Sequence, residues 1–205
     1  MQLSSESFEL LHAATDHITL VTVPRRRMLV VDGAGHPLTE GFRIGMETLH
    51  AVVERLAVRL AHLRRTGPRH GPLEVDWWPA EKLSLDELVV RFRDRTTWHW
   101  EQMAPIPDLA LDEDAAAAID DARQARIRDA ELVRVAWFDE RPSAQMLHVG
   151  PPSTESLTIR RLIDAMAAAH LRPDVRIHEV RLGDPVHVPV AEWRTIVRVP
   201  IERPA

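Results

Sequence analysis

One carboxylate stands in an unusual sequence context. Glu179 lies in 175–182, a run of alternating β-branched and polar residues that predicts a strand. Side chains two residues apart share one face of a strand, so Glu179 shares its face with Val175 and Ile177. A buried carboxylate costs free energy unless it meets a cation or a ligand. The residues alone leave two interpretations, a structural ion pair with an arginine, which they favour, or a ligand-binding group.

Four of the six tryptophans form a second candidate set. Trp77 and Trp78 fall in one predicted strand, and Trp98 and Trp100 in another that we expect to be its neighbour. Indole rings offer flat apolar walls and strong cation–π surfaces, so with a carboxylate they suit large, flat, often cationic molecules. The alternative is that these indoles simply fill the core. Strand parity alone does not decide which face meets a cleft.

The hydrophobic pattern predicts the elements that hold these residues. Apolar residues spaced alternately by four and three from Phe42 to Leu63 predict a helix over 39–65, with Thr39 as its N-cap. A second striped helix is predicted over 154–170, and an Ala-rich surface helix over 112–128. Strands are predicted at 18–23, 28–32, 73–78, 96–103, 133–137, 145–149, 175–182 and 193–199, with a short helix over 83–92.

The order of these elements repeats along the chain. Each long helix follows one strand and precedes two, so the halves at about 18–107 and 132–205 both have the order β-α-β-β. We predict one domain over 1–205 of the α+β class. It is a tandem β-α-β-β repeat with a mostly antiparallel sheet, two long helices on one face and a central groove. An ordinary α+β sandwich with chance similarity is the alternative.

The composition excludes several kinds of chemistry. The 205 residues include no Cys, which excludes thiolate catalysis and Cys-ligated metals. They also include no Tyr, and Lys82 is the one lysine. A net charge of −5 disfavours a nucleic-acid partner. The histidines lack metal-ligand spacing, and Gly33-Ala34-Gly35 lacks the rest of a phosphate-binding fingerprint. We therefore expect no metal or cofactor. No segment resembles a signal peptide or membrane span, so we expect a cytoplasmic protein without a membrane partner.

Two stretches are specific enough to indicate a family. They read Gln-Met-Leu-His-Val-Gly-Pro at 145–151 and His-Glu-Val-Arg-Leu-Gly-Asp-Pro at 178–185. With Val-Asp-Trp-Trp at 75–78 and Trp-His-Trp at 98–100, they resemble the GyrI-like small-molecule-binding domains. These domains are related to the drug-binding domains of bacterial multidrug-sensing transcription activators. The resemblance spans about residue 18 to the end. It implies a groove in which a buried glutamate, here Glu179, and aromatic residues recognise bulky, lipophilic, often cationic compounds.

The resemblance implies two classes of function. The first is a binding module that senses or sequesters lipophilic drugs, its protein partner unknown. The second is a hydrolase that opens cyclopropane rings of DNA-alkylating natural products, with Glu179 as general base and its pKa raised by an apolar groove. Relatives often carry Tyr at the positions of Pro152 and Arg181, so a step that needs a phenol is excluded here. Phe42 and Met46 are equally compatible with plain core. The candidate ligand-contacting residues are Glu179, Trp77, Trp78, Trp98, Trp100, Phe42, Met46 and His148.

Overall fold

The computed structural model describes residues 13–65, 71–139, 141–183 and 188–202. No helix within these ranges is long and apolar enough to cross a membrane. The α-helices there are α1 (Glu40–His62), α2 (Leu85–Arg91), α3 (Asp112–Gln124) and α4 (Glu155–Ala168). The strands are β1 (Thr19–Val21), β2 (Arg26–Ala34), β3 (Glu74–Pro79), β4 (Trp98–Pro105), β5 (Arg134–Phe138), β6 (Ser143–Val149), β7 (Ile177–Leu182) and β8 (Arg194–Pro200). Each predicted element is present, with ends shifted by a few residues.

These strands form one antiparallel sheet in the order β1-β6-β8-β7-β3-β4-β2-β5. Strands β3 and β7 pair at its centre, followed outward by β4 and β2 on one side and by β8 and β6 on the other. Edge strand β1 pairs with β6, and edge strand β5 pairs with β2. The α+β class and the antiparallel sheet are confirmed. The duplication that we infer from the matching order of the two halves stays a prediction.

The helices pack on one face of this sheet. Helix α1 contacts β2 and β4, α4 contacts β6 and β8, and α2 packs on α4. The predicted stripe of α1 is buried at Phe42, Leu49 and Val53, and Thr39 caps the helix by accepting a hydrogen bond from the Phe42 amide. Helix α3 lies on α1, where the buried carboxylate of Asp114 pairs with Arg59. The burial of these apolar stripes seats the two long helices on either side of β3 and β7, the strands that carry Trp77 and Glu179.

The opposite face of the central strands carries a buried polar group of its own. Arg26 donates two hydrogen bonds to the Glu74 carboxylate, at 2.7 and 2.9 Å. His178 Nε2 lies 2.8 Å from the same carboxylate, and the Phe138 ring stacks on the His178 ring with centroids 5.2 Å apart. Glu74 and His178 are almost fully buried. We call Arg26, Glu74 and His178 the Glu74 network.

Candidate functional site

Glu179 lies near the middle of the sheet, on the face that the helices cover. It stands opposite Val75 of β3 and Val197 of β8, and its side chain is 1% exposed. Its Oε1 accepts a hydrogen bond of 2.7 Å from Arg95 Nη1, and its Oε2 accepts one of 3.1 Å from Arg181 Nη2. The ion pair that the residues alone favour is therefore present, and it involves two arginines.

Arg95 reaches this carboxylate from the turn between α2 and β4. Its backbone carbonyl accepts a hydrogen bond from the Trp98 amide at 3.1 Å. The guanidinium carbon lies 4.0 Å from the centroid of the Phe92 ring and 4.5 Å from that of the Trp77 ring. The residue is 3% exposed. Arg95 is therefore held by ring faces on its flat sides and by a carboxylate at its tip, a combination that suits a guanidinium.

Three aromatic residues form a continuous surface beside this ion pair, which we call the aromatic wall (Phe42, Trp77 and Trp100). The Phe42 and Trp77 rings are stacked, with centroids 5.2 Å apart and planes 12° apart. The Trp100 ring meets Phe42 edge-on at 5.3 Å. Gly33, opposite Trp100 on β2, makes room for the indole, since a Cβ there would lie 2.3 Å from its ring. The structure thus brings three predicted residues to the face of Glu179. Contact with a ligand stays a prediction.

Glu155 also belongs to this site, although no sequence pattern predicts it. It is the first residue of α4 and is 2% exposed. Its Oε2 lies 3.7 Å from Arg95 Nη2, and its carboxyl group is close enough to Glu179 for the two groups to interact electrostatically. Burial, reinforced by the neighbouring negative charge of Glu179, raises the pKa of Glu155 well above its ordinary value. In the sequence it resembles the acidic residue that commonly begins a helix, so no pattern singled it out.

The pKa values of Glu155 and Glu179 are shifted in opposite directions. Burial raises the pKa of Glu179, but the positive charges of Arg95 and Arg181 outweigh it, so the pKa lies below its ordinary value. The predicted raised pKa of Glu179 is therefore wrong, because it assumed an apolar groove without cations. The raised pKa belongs to Glu155. Adjacent carboxyls separated in this way favour an ionised Glu179 beside a protonated Glu155.

Buried polar atoms without a hydrogen-bond partner are concentrated around this ion pair. Gln102 is typical, since its Nε2 donates a 2.8 Å hydrogen bond to the Phe42 carbonyl whereas its Oε1 accepts none. Such atoms are uncommon in folded proteins, because each loses its hydrogen bonds to water on burial. In the described part of the chain they include Trp77 Nε1, Trp100 Nε1, Gln102 Oε1, Arg95 Nε and Glu155 Oε2. We call Glu179, Arg95, Arg181, Glu155 and the aromatic wall the Glu179 cluster.

His148 connects the end of β6 with the start of α4. It is 5% exposed, with Nδ1 2.9 Å from Thr158 Oγ1 and Nε2 3.2 Å from the Pro151 carbonyl oxygen. Burial lowers its pKa, opposed by the hydrogen bond to Pro151 and the charge of Glu179. These contacts hold the segment that leads into Glu155. Across the ranges that the structure describes, no three His, Asp or Glu residues form a group suited to a metal ion.

The remaining predicted residues lie in different surroundings. Trp98 is fully buried and meets Phe92 edge-on at 5.4 Å, next to the turn that carries Arg95. Met46 is half-buried against the core. Trp78 lies on the opposite face of β3, where it stacks on His99 with centroids 5.7 Å apart. Because successive side chains of a strand alternate, the structure separates Trp78 from Glu179.

Several solved structures resemble this one. An uncharacterized conserved protein from Listeria innocua matches with a TM-score of 0.80 at 26% identity, covering 96% of this chain and 98% of that one. A hydrolase from Listeria innocua matches with a TM-score of 0.77 at 25% identity, covering 96% and 97%. The C-terminal domain of EcmrR matches at 0.60 and 9% identity, covering 91% and 98%. No family model and no curated protein matches the sequence. These similarities confirm the predicted GyrI-like fold.

Proposed function

We propose that this protein binds bulky, lipophilic small molecules, cationic ones among them, at the Glu179 cluster. The observation that carries the proposal is the group of buried polar atoms without partners beside one ionised carboxylate and the aromatic wall. A polar group of a ligand that satisfied these atoms would recover hydrogen bonds that folding leaves unmade. Perturbed titratable groups beside an apolar surface are typical of ligand sites.

The chemistry of the cluster matches that class of ligand. The aromatic wall supplies apolar area for flat rings, and the indole N–H groups of Trp77 and Trp100 supply donors. Glu179 supplies a charge that a ligand cation would recognise. The resemblance of the sequence to GyrI-like small-molecule-binding domains supports the same class.

The two adjacent tryptophans of β3 provide a matched test. Trp77 belongs to the aromatic wall and Trp78 lies on the opposite face, so the substitutions Trp77→Phe and Trp78→Phe remove the same group on either side of the sheet. Binding of a neutral aromatic dye is measured by calorimetry. Trp77→Phe is expected to weaken binding by about ten-fold, the scale of one aromatic contact, and Trp78→Phe to leave it nearly unchanged. Equal effects of the two substitutions, or no binding by the unaltered protein, would contradict the proposal.

A second candidate function, hydrolysis of a strained cyclopropane, is favoured by the two adjacent carboxyl groups with opposite pKa shifts. In this reaction Glu179 accepts a proton from a water molecule as the water oxygen attacks a ring carbon. The C–C bond between the attacked carbon and the ring carbon that is conjugated to a carbonyl of the substrate breaks. Its electron pair moves into that conjugated system, and Glu155 donates the proton that completes the product. The similarity to a hydrolase from Listeria innocua at 25% identity supports this candidate.

The chemical test uses a cyclopropane conjugated to a dienone, incubated with the protein. Mass spectrometry is expected to detect the ring-opened product, heavier by one water, forming faster than in buffer. Glu179→Gln removes the base and Glu155→Gln removes the acid, so each is expected to slow turnover by about 100-fold or more. Binding of the compound without a product above the buffer rate would exclude hydrolysis and leave the binding function in place.

A further inference from the structure

The Glu179 cluster already contains the cation that its geometry would recognise. We infer that the Arg95 guanidinium occupies the subsite for a ligand's cation, so that Arg95 sets the charge preference of the site. We call the Phe92 and Trp77 ring faces together with Glu179 Oε1 the cation subsite. The inference rests on the proposed binding function. Neutral lipophilic molecules bind with Arg95 in place, whereas a cation must first displace it.

The contacts of Arg95 are those expected for a bound ligand. Its guanidinium carbon lies 4.0 Å from the Phe92 centroid and 4.5 Å from the Trp77 centroid, and Nη1 donates a 2.7 Å hydrogen bond to Glu179. Aromatic faces around a carboxylate form the arrangement by which proteins bind organic cations. An external cation would find both kinds of contact engaged by the same side chain.

Arg95 is held less completely than a structural arginine of the same protein. Arg26 binds both oxygens of Glu74, at 2.7 and 2.9 Å, in the two-pronged geometry that suits a guanidinium. Arg95 makes one such bond to Glu179, while its Nη2 is 3.7 Å from Glu155, beyond hydrogen-bond distance. Displacing Arg95 therefore breaks fewer hydrogen bonds than displacing Arg26 would.

The two arginines on Glu179 also differ in how they are anchored. Arg181 belongs to β7, where its backbone is paired opposite Thr195 of β8. Arg95 belongs to the turn between α2 and β4, with exposed neighbours at Asp94 and Thr96. A change in this turn moves Arg95 without breaking the sheet, whereas moving the backbone of Arg181 breaks strand pairing. Arg95 is therefore the replaceable partner of Glu179.

The charges of the cluster also disfavour a bound cation while Arg95 is in place. Arg95 and Arg181 bring two positive charges, and Glu179 brings one negative charge. Glu155 also lies beside Arg95, and a proton on it leaves these four side chains with an excess of positive charge. An added cation would be repelled unless one guanidinium withdrew, which a neutral molecule does not require.

The experiment compares two probes that share one ring system, N-methylacridinium, a permanent cation, and acridine, which is neutral above its pKa. Calorimetry measures the binding of both probes to the unaltered protein and to Arg95→Gln at about pH 8, where acridine is uncharged. Arg95→Gln is expected to bind N-methylacridinium about ten-fold or more tighter, the scale of a desolvated cation–π contact. Its affinity for acridine is expected to change by less than about three-fold.

Arg181→Gln is the matched control, because it also removes a guanidinium from Glu179 but leaves Arg95 on the ring faces. A clearly smaller gain for N-methylacridinium than in Arg95→Gln supports the inference. Equal gains in the two variants would reduce the effect to net charge and overturn it. If acridine binds and Arg95→Gln leaves the preference between the probes unchanged, the inference fails while the binding function stands. If neither probe binds any variant, both fail.

A second measurement does not depend on either acridine. Arg95→Ala empties the cation subsite, and methylguanidinium, the end group of the missing side chain, is then added at millimolar concentration. It is expected to raise the melting temperature of Arg95→Ala and to have no such effect on the unaltered protein. The same lack of effect on both would overturn the inference. Arg95→Lys keeps a charge but loses the planar group. Methylguanidinium is expected to raise its melting temperature by less than that of Arg95→Ala and by more than that of the unaltered protein.

Discussion

Two buried carboxylates lie back to back on the central strands, and their surroundings differ. In the Glu74 network, the carboxylate receives two hydrogen bonds from Arg26 and contacts His178, so both oxygens are engaged. In the Glu179 cluster, each carboxylate oxygen accepts one bond, from a different arginine, and a second carboxyl lies alongside. Burial opposes ionisation in both, yet the arginines keep the pKa of Glu74 and of Glu179 below its ordinary value.

A buried carboxylate does not by itself mark a binding site. Both glutamates are nearly inaccessible and both are paired with arginine. What distinguishes Glu179 is its neighbours, because indole, amide and carboxyl atoms around it lack hydrogen-bond partners. A carboxylate whose two oxygens are both bound by one guanidinium indicates a structural role, whereas a concentration of unsatisfied indole, amide and carboxyl atoms indicates a place where another molecule completes the set.

The largest expected effect is on the Glu74 network. Glu74→Gln removes the negative charge to which Arg26 donates two hydrogen bonds, at a position that is almost fully buried. Breaking a buried ion pair from one side costs about 3–5 kcal/mol, so the free energy of unfolding is expected to fall by that amount. Urea denaturation measures it, with the exposed Glu54→Gln as control. A loss as small as that of the control would contradict the structural role.

A smaller loss of stability is expected for Glu179→Gln. Arg95 then loses its main partner, but the neighbouring Glu155 can ionise in its place, since the charge of Glu179 is one of the causes that raise its pKa. The free energy of unfolding is expected to fall by about 1–3 kcal/mol in the same urea assay, less than for Glu74→Gln. If Glu179→Gln proves the more damaging substitution, the distinction between the two groups is wrong.

The smallest expected effect is a change of protein stability with pH that depends on Glu155. The pKa of Glu155 is higher in the folded protein than its ordinary value of 4.5. Its contribution to stability is therefore fully present below pH 4.5 and is lost as the pH rises through the raised pKa. Glu155→Gln imitates the protonated form at every pH. The stability of the unaltered protein relative to this variant is expected to decline as the pH rises above that ordinary value.

Denaturation curves of both proteins at several pH values measure this difference. The contribution of Glu74 to stability changes with pH in the opposite direction, because its pKa is lowered on folding. This contribution is lost only as the pH falls through the lowered value. Subtracting the Glu155→Gln curve removes that shared contribution. A difference that is flat or increases with pH would show that Glu155 does not hold a proton in the folded protein.

Much of the fold was predictable because its signals are local. The stripe of α1 and its cap at Thr39 follow from spacing and residue type, and the structure places the helix at Glu40–His62. The alternation of strand side chains correctly predicted that His178 and Glu179 face opposite sides. It also separates Trp77 from Trp78, but the pattern does not say which of the two shares a face with Glu179. That depends on the pairing of β3 with β7, whose paired residues lie about 100 positions apart in the sequence.

Local patterns and composition are enough to predict the element order, the candidate glutamate and the absence of thiol and phenol chemistry. The groups that meet that glutamate are known only from the way the chain packs. Arg95 comes from a turn and Glu155 from a helix N-terminus, and neither position has a period that predicts its direction. Their meeting with Glu179 depends on how α2 and α4 dock on the sheet. The pKa of Glu179 follows from this meeting, because a carboxylate among cations and one in an apolar groove shift in opposite directions.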